Sequence, residues 1–161
     1  MLRVGTVGTS SIMRTIQEAI RLTDGMECRV VYSRTEEQGR AFAAEMGVPE
    51  HCTDYAAMLE RSDLDLIDIA SPNRFHVEQA LAALEHGKHV FSEKPLAADM
   101  KEGTELMALA KEKNLLMGGA PDPFMGAGIQ TARKVIDDGL IGDVIGATCA
   151  MIQHLSLIHI S

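Results

Sequence analysis

The stretch from residue 2 to residue 12, LRVGTVGTSSI, runs an apolar strand pattern straight into a helix start, with two glycines at the join. Leu2 to Val7 is short and rich in Val, and Ser10 and Ser11 both belong to the residue types that cap helix N-termini. A strand that passes through a Gly8–Ser11 turn into a helix is the opening of a strand-helix-strand unit. Backbone amides and the helix dipole at such a turn can receive a pyrophosphate. Gly5, Gly8, Thr9, Ser10 and Ser11 are therefore candidate cofactor-binding residues. The spacing is G-x-x-G-x-S, so Ser10 stands where many dinucleotide folds carry glycine. A tight turn with serine as a simple N-cap is the competing reading.

Outward from this turn, short Val- and Ile-rich runs alternate with segments of helical period, the pattern of a doubly wound parallel sheet of Rossmann type. After the first strand, Ile12, Ile16, Ala19 and Ile20 fall on one helical face, and Asp24-Gly25 stops the helix. Cys28 to Tyr32 is the second strand. Thr35 and Gln38 form a capping box for a helix that ends at Met46-Gly47. An extended piece near His51 to Thr53 and a further helix lead to the strand Leu64 to Ala70. The next helix buries Val77, Ala80, Leu81 and Leu84 and stops at Gly87. His89 to Ser92 begins another strand, HVFSEKPLA, which delivers Glu93, Lys94 and Pro95 to its carboxyl end. Asp99 and Glu102 cap a helix reaching Asn114, and Leu115 to Gly118 is the sixth strand. Gly118 to Gly128 is a Gly- and Pro-rich crossover, followed by a helix on Ile129, Ala132, Val135 and Ile136 and a strand from Val144 to Ile152.

The second strand ends Tyr32-Ser33-Arg34-Thr35. An NAD-binding fold commonly holds the adenosine ribose with a carboxylate at that place. Here a hydroxyl and a guanidinium stand instead, and both suit a 2′-phosphate, so Ser33 and Arg34 favour NADP, with NAD as the alternative. Fifteen Lys and Arg against twenty-three Asp and Glu give a net charge of −8, which opposes a sequence-independent grip on nucleic acid. Cys28, Cys52 and Cys149 are odd in number and unpaired in spacing, as in reduced cytoplasmic proteins. No apolar run approaches a membrane span, and no basic leader precedes the first strand. His86 and His89 lack a third ligand, so no metal site is expected.

Four segments, VGTVGTSSI, VVYSRT, IASPNRFHVEQALAALEHGKHVFSEKPLA and GAGIQTARKVIDDGLIGDVIGA, together resemble the Gfo/Idh/MocA family of oxidoreductases. The most specific part is S-P-N-x-x-H after one strand, followed by G-K-H-V and E-K-P around the next. The resemblance implies a dinucleotide-binding domain over residues 1–120 and the start of an α+β substrate domain over 121–154. It implies that Lys94 is the catalytic-site lysine, donating to the substrate oxygen on which negative charge develops, with partial burial tuning it. Glu93 and Pro95 would shape the strand end, with a cis bond before the proline. Ala70, Ser71, Pro72, Asn73 and His76 match the loop beneath the nicotinamide. The implied substrate is a sugar, polyol or related hydroxyl or carbonyl compound, and the full-length relatives form homo-oligomers. Ala120-Pro121-Asp122-Pro123 departs from the asparagine-arginine pair that many relatives carry there, which leaves the substrate open.

The last seven residues, LSLIHIS from 155 to 161, do not continue the family pattern and match the translation of a transposase mosaic end used in sequencing libraries. They are expected to be an adapter artefact on a truncated reading frame, and the fragment is expected to lack turnover. A non-catalytic nucleotide sensor or transcription regulator is the rival reading. A methyltransferase with a similar glycine turn ranks last, because it has no use for the S-P-N and E-K-P strand ends.

Overall fold

The computed structural model describes residues 1–121, 123–148 and 150. The chain divides into two units, the first running Met1–Pro121. Its elements are β1 (Leu2–Val7), α1 (Ser11–Leu22), β2 (Met26–Tyr32), α2 (Glu36–Met46), β3 (Glu50–Cys52), α3 (Tyr55–Leu59), β4 (Leu66–Ile69), α4 (His76–Glu85), β5 (His89–Ser92), α5 (Met100–Glu112) and β6 (Met117–Gly119). The six strands form one parallel sheet in the order β3-β2-β1-β4-β5-β6. The order reverses between β1 and β4, and a fold of this kind opens its ligand crevice at that switch, beyond the carboxyl ends of the strands. The Rossmann-type architecture is as expected.

Alternation along each strand divides the core into two layers. Val7, Ile67, Ile69 and Val90 face α4 and α5, where Ala80, Leu84 and Leu106 fill the space. Val31 and Ala70 face α1 and α2, against Met13, Phe42 and Ala43. Helix ends follow the local chemistry. Ser10 caps α1 by accepting from Met13 N at 3.4 Å, and Gly47 ends α2 in the left-handed region at φ 71°. Thr35 accepts from Gln38 N at 3.4 Å. Glu102 N donates to Asp99, while the Glu102 carboxylate accepts from Ala98 N, one residue further out than a standard capping box.

Several expectations need correction. The buried stripe of α1 is Met13, Gln17 and Ile20, whereas Ile12 and Ala19 are exposed. Gln17 turns inward because its amide donates to Thr6 Oγ1 at 2.8 Å and to Cys28 Sγ at 3.2 Å, so a polar side chain holds a core position. On α4 the fully buried residues are His76, Ala80, Ala83 and Leu84, with Val77 and Leu81 only partly covered. The last strand begins at Met117, since Leu116 N is taken by the His89 ring at 3.0 Å.

In the second unit, a 3-10 turn Pro123–Met125 precedes α6 (Ala127–Asp137), and Gly139 follows with φ 68°. The strand expected from Val144 is absent over the described residues 144–148, which carry no regular structure. The rest of that stretch, apart from residue 150, and the heptapeptide 155–161 lie outside the described residues. No helix among the described residues is long and apolar enough to cross a membrane.

Candidate active site at the carboxyl ends of the strands

The loops after β1, β2, β4 and β5 enclose a cleft of about 850 Å³. Gly8 sits at its floor with φ 112°, and its amide donates to Tyr32 O at 3.0 Å. A Cβ at this position would lie 2.7 Å from the Ala70 carbonyl oxygen. Only glycine therefore lets β1 turn this close to the end of β4. Ser10 donates to the same carbonyl at 3.5 Å while capping α1, so serine replaces the usual third glycine by tying helix to strand through a hydrogen bond. No acidic residue occupies the first turn of α1, which leaves the positive end of its dipole available to an anion.

Thr9, Ser10, Ser33, Arg34, Ala70, Ser71, Pro72, Asn73, His76, Glu93 and Lys94 line the cleft together with Gly8. Gly5, Ser11 and Pro95 do not. Gly5 lies within β1, where an added Cβ would meet Ile67 and Leu64 side chains at 3.1 Å, so its role is sheet packing. Ser11 is the exposed first residue of α1. The Lys94-Pro95 bond is cis, and Pro95 meets the site through its carbonyl.

Ser33 is buried, with its Oγ accepting from Thr35 N at 3.5 Å, which leaves the hydroxyl proton for a ligand. Arg34 is exposed and forms no ion pair among the described residues. Lys94 is exposed too, against the expected partial burial, because β5 ends at Ser92 and the chain leaves the sheet before it. Glu93 Oε2 accepts from Lys94 N at 3.1 Å.

His76 opens α4 and is 1% exposed. Its Nε2 lies 2.8 Å from Ser71 O and its Nδ1 2.9 Å from Pro95 O. Ser71 in turn donates to the Gln79 side chain at 2.6 Å. His86 and His89 are engaged locally, His86 at the Ala82 carbonyl and His89 at Leu116 N.

Tyr32, Tyr55 and Gln79 also line the cleft and escaped the sequence reading. The two tyrosine rings stand 5.4 Å apart and tilted, and Tyr55 donates to Gln79 O at 2.8 Å. Burial pushes the Tyr55 phenol above its ordinary range, so it remains a neutral donor. Gln79 follows His76 by three residues and so shares its helical face, which was the available signal. Asp68 was also missed. It is 7% exposed on β4, and its Oδ1 has no partner among the described residues. Burial, with the Glu93 charge nearby, pushes its pKa up to about 7.

The site is thus a glycine turn at a helix N-terminus, in a cleft that Arg34 and Lys94 also line, as in folds that bind dinucleotides. An oxidoreductase family with an NAD-binding Rossmann fold matches residues 2–119, and the chain belongs to this Gfo/Idh/MocA family. It is 34% identical over 148 residues to a 1,5-anhydro-D-fructose reductase of Ensifer adhaerens, covering 91% of this chain and 44% of that protein. It is 34% identical over 117 residues to an NADP(+) scyllo-inositol 2-dehydrogenase of Bacillus subtilis, covering 73% and 36%. A solved 3-ketoreductase of Actinomadura kijaniata, in complex with NADP and TDP-benzene, superposes with a TM-score of 0.80 at 30% identity, covering 88% of this chain and 44% of that one. The chain spans less than half the length of these relatives.

Proposed function

We propose that this chain is the cofactor-binding portion of an NADP-dependent oxidoreductase acting on a sugar, polyol or related hydroxyl or carbonyl compound. The observation that carries the reading is Lys94, whose ammonium has no partner among the described residues and lies just beyond β5 on the lining of the cleft. The turn suits a dinucleotide: glycine at position 8 lets β1 turn close against the end of β4, and the α1 N-terminus carries no competing carboxylate. A bound nicotinamide would supply hydride transfer. Gly8, Thr9 and Ser10 would hold the pyrophosphate through backbone amides, and Ser33 and Arg34 the 2′-phosphate. Ala70 to Asn73 would border the nicotinamide. Lys94 would donate a proton-bearing hydrogen bond to the substrate oxygen as its charge develops. The named relatives act on an anhydro sugar and an inositol, which supports the substrate class. The residues after Pro121 would begin a substrate domain.

The test uses a full-length protein in which this chain is continued by its substrate domain. Lys94→Ala should lower kcat by about a thousandfold while NADP(H) affinity stays within about twofold of the parent. Unchanged turnover would remove Lys94 from the mechanism and overturn the reading.

A further inference from the structure

Lys94 has no side-chain partner among the described residues, so its placement is inherited from its backbone. That backbone is held on both sides. Glu93 N, one residue before, donates to Ile69 O at 2.8 Å, and Pro95 O, one residue after, lies 2.9 Å from His76 Nδ1. The first bond is the last rung of the β4–β5 ladder. Beyond it the segments after the two strands separate. Among the described residues, His76 provides the only hydrogen bonds that reconnect them, through Ser71 O on one side and Pro95 O on the other. Both partners are carbonyls and only accept, so a neutral ring donates through whichever nitrogen carries its single proton, to Ser71 O or to Pro95 O, and spans the other at contact distance.

The ring is 1% exposed and is the first residue of α4, itself anchored by Ala80, Ala83 and Leu84 in the core. The clamp thus ties a packed helix to two connecting segments, the one after β4 being Ser71–Pro72 followed by a single 3-10 turn at Asn73–Phe75. Ser71 is secured a second time by its bond to Gln79, one turn along the same helix.

We propose that His76 is a positioning residue for Lys94, joining the loop after β4 to the loop after β5 so that the lysine is presented to substrate at a set distance from the cofactor. This rests on the catalytic reading of Lys94. Its chemistry is that of orientation: a displacement of about 1 Å in a catalytic group can lower rate about a hundredfold. His76 itself touches neither reacting atom.

The experiment is a double-mutant cycle on kcat in the full-length protein, with NADPH affinity measured on every variant. His76→Leu removes both contacts, and His76→Gln keeps one donor if the leucine variant folds poorly. His76→Leu should lower kcat about a hundredfold, and His76→Gln about tenfold, with NADPH affinity changed by less than about fivefold. In the Lys94→Ala background the same substitutions should change kcat by less than about twofold, because the group they position is gone. Equal fold losses in both backgrounds would show that His76 acts independently of Lys94 and overturn the inference. Loss of NADPH binding in both His76 variants would overturn it as well, by placing the residue in the fold of the cleft. If Lys94→Ala alone leaves kcat unchanged, the catalytic reading fails first and takes this one with it.

Discussion

The two ends of the sheet handle charge in opposite ways. At the amino ends of the strands, charged groups are closed upon one another. Arg3 binds Asp65 through two guanidinium contacts, at 2.9 and 2.6 Å, and Arg61 bridges Glu50 and Asp63. The Arg3 guanidinium and backbone amide hold the Asp65 carboxyl well below the usual range. Lys88, almost fully buried, donates to Arg61 O at 2.6 Å and Leu64 O at 2.9 Å. At the carboxyl ends, Arg34 and Lys94 form no ion pair among the described residues, and the glycine turn leaves helix amides facing a cleft. A protein with a net charge of −8 has carboxylates to spare, and Glu78 and Glu93 line the same cleft, yet neither cation closes an ion pair there among the described residues.

Substitutions can break this contrast in graded ways. The largest effect is expected from Gly8→Ala, which puts a Cβ into a carbonyl oxygen at a backbone angle that other residues avoid. NADPH affinity should fall at least about a hundredfold, roughly 3 kcal/mol, as read by nicotinamide fluorescence titration. Affinity within twofold of the parent would mean that the dinucleotide does not use this turn.

Asp68 lies between the two ends, a buried carboxylate matched to neither. Folding raises its pKa from about 3.8 to about 7, so between those pH values the folded chain keeps a proton that the unfolded chain releases. Stability should therefore be highest from this group below pH 4 and decline as pH rises through 7. Asp68→Asn should flatten that decline, by on the order of 4 kcal/mol between pH 4 and 8 in urea denaturation. A parallel decline in both proteins would assign it elsewhere.

At the closed end, Lys88→Met should reduce unfolding stability by about 2 kcal/mol by leaving two buried carbonyls without their donor, with cofactor affinity untouched. A matching loss of NADPH binding would erase the distinction between the ends. The smallest effect sharpens the open one. Arg34→Asp should weaken NADPH by about tenfold, roughly 1.4 kcal/mol, and reverse the preference toward NADH. Equal affinities before and after would remove the 2′-phosphate assignment.

Much of this was legible in the chain. The glycine turn, the serine cap, the αL glycine after α2 and the order of strands and helices are decided by neighbours within a few residues, where steric limits and periodicity act directly. The motif segments also located the cleft, since strand ends after β1, β2, β4 and β5 converge in any sheet of this winding.

Other features depended on partners far along the chain. Hydropathy placed Ile12 inside and had no reason to choose Gln17, whose inward turn exists because Thr6 and Cys28 lie across from it. Asp68 occupies an apolar strand whose pattern conceals it, and Tyr55 reaches a carbonyl 24 residues away. His76 could be named from its motif, but its burial and its grip on Ser71 and Pro95 required α4 to be seated against the sheet. The sequence by itself determined where each element starts, turns and stops, because those choices are local. The tertiary structure alone decided which side chains meet across elements, because hydrogen-bond distances between residues remote in sequence are set by packing and leave no periodic trace.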